Sequence, residues 1–307
     1  MGSAAGHQRP TGSKPLSRRS FLRTAAQAAA VGAAAATATT AVSACTATAG
    51  GTSFADVKES GKILIGVAGE KPYGYIDEDG RVTGEGPEVA RAVLKRLGIT
   101  ELQGVLVDFR QLIPGLQAQK YSLVAAGMSI LPERCADAAF SLPDFEVKNA
   151  FLVQKGNPEG IETFADIKGK DVLIGVLTGG VELELAIEAG AAEEQLVTLG
   201  DQDSLFRAVA DGRVYGAATL DTTVGYLLKQ HPEAGLSKTK PFVPPGGSAG
   251  VGGFAFRKHD TEFVKAFNAE LAALKKSGEW LEIVRPFGFT EQHQPGPEIT
   301  TKKLCAP

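Results

Sequence analysis

Three charged residues stand out for where they fall along the chain: Glu70, Arg134 and Asp221 each follow a short apolar run. Glu70 comes after Ile63-Leu64-Ile65-Gly66-Val67-Ala68, Arg134 soon after residues 122–128, and Asp221 after residues 214–219. An arginine in such a place can grip a carboxylate through two parallel hydrogen bonds. A glutamate or aspartate can accept from an ammonium or amidinium, so both charges in one hollow would hold the two ends of a small dipolar molecule. Tyr73 and Phe109 could add π faces, where a cation gains about 0.5–2 kcal/mol. Thr178, Gly179 and Gly180 precede a helical segment whose free N–H groups favour an anion. Each residue also has a plainer use: Arg134 in a surface ion pair, Asp221 as the cap of a helix beginning at Thr222, Glu70 in a solvated loop, the aromatics in the core, and residues 178–180 as a turn.

The surrounding pattern decides whether these residues can meet. Residues 63–68 form a β-branched run and read as a buried strand. A turn at Asp77-Glu78-Asp79-Gly80 follows. Pro87 then reads as the first residue of a helix with Val89, Val93, Leu94 and Leu97 on one face and Gly98 as its stop. Residues 104–109 read as a second strand, 112–119 as a short helix and 122–128 as a third strand. The same order recurs from residue 171: strand 172–176, helix 181–188, strand 196–199, helix 205–211 and strand 214–219. Such alternation implies parallel sheets and an α/β class. Two lobes are expected, 56–153 with 251–307 and 154–250, joined by a two-strand hinge through the extended runs 151–153 and 250–256. Phe263, Phe267, Leu271 and Leu274 mark an amphipathic helix after the second crossing. Ligands of open α/β sheets sit outside the carboxyl ends of the strands, which places the cleft between the lobes. Two tandem, independent domains are the alternative.

The chain has 307 residues, 43% hydrophobic and 22% charged, with 32 Lys plus Arg against 35 Asp plus Glu. That near balance argues against a general affinity for nucleic acid or anionic lipid, and for a small-molecule partner. Three Cys and four His are too few and too scattered for a zinc module, so neither metal nor cofactor is expected. Residues 1–44 read as an export signal: Arg18-Arg19 with Phe21 and Leu22 resembles the twin-arginine motif, ahead of a mildly apolar, alanine-rich stretch. Val42-Ser43-Ala44-Cys45 resembles a lipobox, which implies cleavage before Cys45, a lipid on its sulfur and a flexible tether over 45–55. Cys135 and Cys305 then remain as a pair that could form a disulfide in an oxidising compartment.

Gly69-Glu70-Lys71-Pro72-Tyr73-Gly74-Tyr75, Leu112-Ile113-Pro114-Gly115-Leu116 and residues 126–134 (Ala-Gly-Met-Ser-Ile-Leu-Pro-Glu-Arg) resemble the family 3 solute-binding proteins of ABC importers. The resemblance covers nearly the whole chain after the signal. Residues 84–98, 132–135 and 154–158 look most like the ectoine and hydroxyectoine binders. It implies a periplasmic-binding-protein-like type II fold, capture of a small zwitterion, and a membrane ABC permease as partner. A monomer outside the cytoplasm, held to the membrane by its lipid alone, is expected. Lobe one would bind through Glu70, Tyr73, Phe109, Gly127, Ser129 and Arg134, and lobe two would close with Thr178, Gly179 and Asp221. Ser129 departs from the ectoine pattern, where a third aromatic is expected, and looks more like the amino-acid binders. Ectoine held differently, an amino acid and a betaine all fit the pair Arg134 and Asp221.

A few relatives of this fold catalyse eliminations such as dehydration of cyclohexadienyl acids, and Glu70 could serve as a base. His231, His259 and His293 read as exposed turns, and no Gly-x-Ser-x-Gly elbow, phosphate loop or dinucleotide fingerprint is present. The expectation is a receptor, not an enzyme.

Overall fold

The computed structural model describes Gly2 and residues 53–244 and 250–306. The rest of the export signal, Cys45 and residues 46–52 lie outside the described residues. The chain runs α1 (Phe54–Ser60), β1 (Lys62–Val67), β2 (Tyr75–Ile76), β3 (Val82–Thr83), α2 (Glu85–Arg96), β4 (Glu101–Leu106), α3 (Leu112–Gln117), β5 (Leu123–Ser129), α4 (Pro132–Asp137), β6 (Ala139–Phe140) and β7 (Phe145–Val147). It continues through β8 (Asn149–Gln154), β9 (Ile174–Leu177), α5 (Glu182–Glu188), β10 (Leu196–Leu199), α6 (Gln202–Ala210), β11 (Gly216–Leu220), α7 (Asp221–Gln230) and β12 (Leu236–Lys238). It ends with β13 (Gly250–Phe256), α8 (Thr261–Ser277), α9 (Glu279–Val284) and α10 (Thr301–Leu304).

Two sheets share one plan. The first is ordered β4-β1-β5-β13-β6, with β7 also on β13, and the second β10-β9-β11-β8-β12. In each, three strands run parallel and a fourth joins antiparallel, β13 on β5 and β8 on β11. The antiparallel strand is in both cases the one that has just crossed from the other lobe. Only Lys148 separates β7 from β8, so the first crossing is nearly continuous. Residues 149–153, assigned to the first lobe by pattern, therefore pair inside the second sheet with β11 and β12. An extended apolar run fits either side of a crossing, which is why its register was not readable.

Burial explains the continuous apolar strands. Ala150 and Leu152 of β8 face one core, Phe151 and Val153 the other, as alternating strand residues must when helices cover both faces. In the first lobe Ile63, Ile65 and Val67 pack with Phe263, Phe267, Leu271 and Leu274 of α8 and with Trp280 of α9. Several ends differ from the pattern. Helix α2 begins at Glu85 behind Gly84, two residues before Pro87. Strand β4 stops at Leu106, and Phe109 opens a 3-10 turn instead of closing a strand. Residues 54 and 55, expected within a tether, belong instead to α1, because Ser53 and Asp56 form a capping box that starts the helix at Phe54, whose ring stacks on Phe263 at 4.6 Å. At the far end Cys135 of α4 and Cys305 are joined by a disulfide with a Cα–Cα separation of 5.5 Å.

Candidate ligand site between the lobes

Strand ends build the site. Glu70 lies just past β1, Phe109 past β4, Ser129 ends β5, and Arg134 is carried by α4, whose Pro132 stands in its first turn. From the other lobe come Leu177 at the end of β9, Gly180, Val181 and Glu182 at the start of α5, Gln202 opening α6, and Thr219 and Leu220 at the end of β11. Together with Tyr73, Ala126 and Gly127 they enclose a cavity of about 30 Å³. Space of that size takes a water molecule or two and no larger solute, so the lobes stand closed on one another.

Hydrogen bonds draw the lobes together around it. Gln202 Nε2 donates to Glu70 Oε2 at 2.7 Å, Tyr73 Oη and Thr222 Oγ1 lie 2.6 Å apart, and Lys71 Nζ meets Asp203 Oδ2 at 3.0 Å. Arg134 spans the gap as well, with Nη1 on the Ser129 carbonyl at 3.2 Å and Nη2 on the Gly179 carbonyl at 3.1 Å. Its guanidinium also lies over the Phe109 ring, 5.4 Å from the centroid. Phe109 thus already holds a protein cation on its face. Tyr73 is fully buried against Phe145 and Phe289, with ring centroids at 5.0 and 5.5 Å. Gly127 makes room for it: φ is +68°, and a Cβ there would stand 2.4 Å from Tyr73 Cγ.

The electrostatics are dominated by burial. Desolvation pushes the Glu70 carboxyl up to about 8, opposed by the Gln202 hydrogen bond and reinforced by Glu182, Asp201 and Asp203. Glu182, also buried, is raised by the same cause, against hydrogen bonds from its own and the Val181 N–H and the charge of Arg134. Desolvation lowers Arg134, while Glu133, Glu182 and Glu184 support its charge. The cavity therefore sets one guanidinium against two carboxyl groups.

Of the residues expected from sequence, Glu70, Tyr73, Phe109, Gly127, Ser129 and Arg134 line this cavity, and Thr178, Gly179 and Asp221 do not. The Thr178 N–H is spent on the Leu199 carbonyl at 2.8 Å, and Gly179 presents its carbonyl to Arg134 instead of a free N–H to an anion. Asp221 opens α7 behind Leu220, and its carboxylate accepts from the Lys148 N–H at 3.1 Å, at the hinge. Glu182 and Gln202 were not anticipated. Both are polar residues in a first helical turn, a position that ordinarily faces water, and the apolar pattern alone starts α6 at Leu205; the cap Asp201 with Ser204 is the signal that moves its start to Gln202. Of the histidines, His259 is exposed, His231 stacks on Phe206 at 4.5 Å, and His293 is half-buried beside Phe289, not in an open turn.

The sequence profile of the bacterial extracellular solute-binding proteins, family 3, matches residues 63–290. The chain belongs to this family. A probable amino-acid ABC transporter periplasmic-binding protein, y4tE of Sinorhizobium fredii, is 33% identical over 84% of this chain and 87% of its own length. The ABC transporter arginine-binding protein 1 of Escherichia coli K12 is 28% identical over 72% of this chain and 88% of its own. A solved structure of EhuB in complex with hydroxyectoine superposes with a TM-score of 0.75 at 34% identity, covering 82% of this chain and 97% of that one. The fold is accordingly the type II arrangement of two α/β lobes on a two-strand hinge, and the family 3 chain is a substrate-binding protein of the ABC amino-acid importer class, working with a membrane permease outside the cytoplasm.

Proposed function

We propose that this family 3 protein captures a small zwitterion between its lobes and hands it to its permease, with ectoine and hydroxyectoine as the first candidates. One observation carries the reading: the Arg134 guanidinium and the Glu70 carboxyl, whose Oε1 has no partner among the described residues, face one enclosed cavity. Arg134 takes the ligand carboxylate, and Glu70 takes an N–H of the cationic end. Charge-assisted hydrogen bonds contribute about 1.5–3 kcal/mol each, so a few, less the costs of ordering and desolvation, reach the roughly 8 kcal/mol of micromolar affinity. The likeness to EhuB supports ectoine. A polar amino acid is the second reading, favoured by Ser129 in the cavity wall and by Phe109 being covered by Arg134, which leaves no aromatic cage. Titration calorimetry with ectoine, hydroxyectoine and the standard amino acids tests both, and the absence of heat with every zwitterion defeats them.

The same proposal includes export by the twin-arginine route, a lipid on Cys45 and a monomeric receptor tethered to the outer face of the membrane. A Cys45→Ala form recovered in the soluble fraction, with the parent in the membrane fraction, supports the anchor. Equal partition of the two removes it.

A further inference from the structure

Gln202 is 3% exposed and opens α6, whose start is fixed by Asp201 taking the Ser204 N–H at 2.6 Å and its hydroxyl at 2.9 Å. Its amide nitrogen has two protons. One goes to Glu70 Oε2 at 2.7 Å and the other to Thr219 Oγ1 at 3.1 Å. Turning the amide over would take both donors away from Glu70 Oε2 and Thr219 Oγ1, so the two contacts of the nitrogen set its orientation. Two buried oxygens are left over, Gln202 Oε1 and Glu70 Oε1, neither with a partner among the described residues, on two side chains that line the cavity, and both accept once a bound cation holds the Glu70 carboxyl ionised. Buried acceptors without donors are destabilising, and a ligand that supplies the donors relieves that cost. Arg134, across the cavity, gives two of its five N–H donors to the Ser129 and Gly179 carbonyls and none to these oxygens.

We propose that Gln202 is a specificity-determining residue: paired with Glu70 across the lobe interface, it admits a cationic ligand head bearing at least two N–H donors and rejects quaternary ammonium. This rests on the zwitterion reading above. A primary ammonium or an amidinium supplies both protons. A trimethylammonium supplies none and would press methyl groups onto both acceptors, keeping the desolvation cost without the hydrogen bonds. Because Glu70 belongs to the first lobe and Gln202 to the second, the same two donors bridge the lobes, so reading the ligand and closing on it are one event.

The test is titration calorimetry on the purified full chain with ectoine, hydroxyectoine, glycine, proline and arginine, followed by the fully N-methylated counterpart of the tightest binder. The methylated compound is expected to bind at least 30-fold more weakly. Gln202→Met, matched in length and without the acceptor, weakens the parent ligand about tenfold and narrows the gap to the methylated one by at least fivefold. A purely structural role would weaken both equally and leave the gap unchanged. Equal affinity of the two ligands for the unmodified chain, or an unchanged gap in a folded Gln202→Met, overturns the inference while the zwitterion reading stands. If Gln202→Met does not fold, Gln202→Leu and the methylation gap of the unmodified chain decide. No heat with any of the compounds overturns the zwitterion reading itself, a separate result.

Discussion

Asp221 clasps Lys148 from both sides, its carboxylate accepting from the Lys148 N–H at 3.1 Å and its own N–H donating to the Lys148 carbonyl at 2.9 Å. Lys148 is the residue between β7 and β8, so this pair ties the first lobe crossing to the start of α7. Asp221→Ala removes one hydrogen bond to a charged acceptor and is expected to lower stability by about 1–2 kcal/mol. Asp221→Asn keeps an acceptor oxygen and should melt within a degree or two of the parent, with ligand affinity changed less than threefold. Calorimetric melting and titration of both variants check this. A large loss of affinity in the Asn form alone would mean that the charge itself meets the ligand.

Arg134 uses the planarity of its guanidinium twice, in the fork to Ser129 and Gly179 and in the contact with Phe109. A lysine keeps the charge but neither feature. Arg134→Lys is therefore expected to weaken zwitterion binding at least tenfold, about 1.4 kcal/mol, with a smaller change in melting temperature than in affinity. Isothermal titration of the parent and variant measures it, and equal dissociation constants would remove Arg134 from the binding role.

Most of the frame was legible because burial on both faces leaves a plain mark. Strands β5 and β9 carry apolar residues nearly throughout because both their faces are covered, and the strand-helix alternation gives their parallel order. What escaped depended on closure. Glu182 and Gln202 look like ordinary first-turn polar residues and acquire meaning only when the opposite lobe covers them. Asp221 was placed correctly at a strand end, but the competing demand of an unpaired hinge N–H took its carboxylate. Phe109 lines the cavity although its local structure is a turn, since only its distance past β4 matters for that.

Burial raises the Glu70 carboxyl to about 8. The folded chain therefore holds a proton that the unfolded chain releases above the ordinary glutamate value of 4.5. The stabilisation is full below that value and is lost as pH rises through about 8. Groups facing Glu70 are Gln202, Glu182, Asp201 and Asp203. Glu182 and Glu85 are raised too, so the difference between parent and Glu70→Gln isolates this one residue. The parent's melting temperature should fall more steeply from pH 5 to pH 9 than that of Glu70→Gln. Parallel curves would mean that Glu70 is charged throughout.

The disulfide between Cys135 and Cys305 closes a sequence separation of 170 residues and fastens the C-terminal segment beside α4, the carrier of Arg134. Loops of this size correspond to about 5 kcal/mol of lost unfolded-state entropy in the chain model. Cys305→Ser, or the parent in dithiothreitol, is expected to melt more than 5 °C lower and to bind its ligand more weakly. Identical melts with and without reductant would show that the bond does not form in solution.

Gly127 is the tightest steric constraint in the site. Its φ of +68° disfavours any side chain, and the methyl of an alanine would overlap Tyr73, at 2.4 Å from Cγ and 2.5 Å from Cδ1. The Tyr73 ring cannot retreat, because Phe145 and Phe289 hold it from behind and Thr222 holds its hydroxyl. Overpacking of this kind costs about 1–3 kcal/mol, with roughly another 1–2 kcal/mol for the left-handed backbone. Gly127→Ala is expected to lose both stability and the Tyr73–Thr222 bond between the lobes. Adding Tyr73→Phe isolates the hydroxyl, since Tyr73→Phe alone should weaken closure, seen as a larger radius of gyration by small-angle scattering, while leaving the melt of the first lobe nearly unchanged. Gly127→Ala that melts with the parent and scatters identically would mean that strand β5 shifts to absorb the methyl, and that the close approach of Tyr73 is not needed to hold the lobes together.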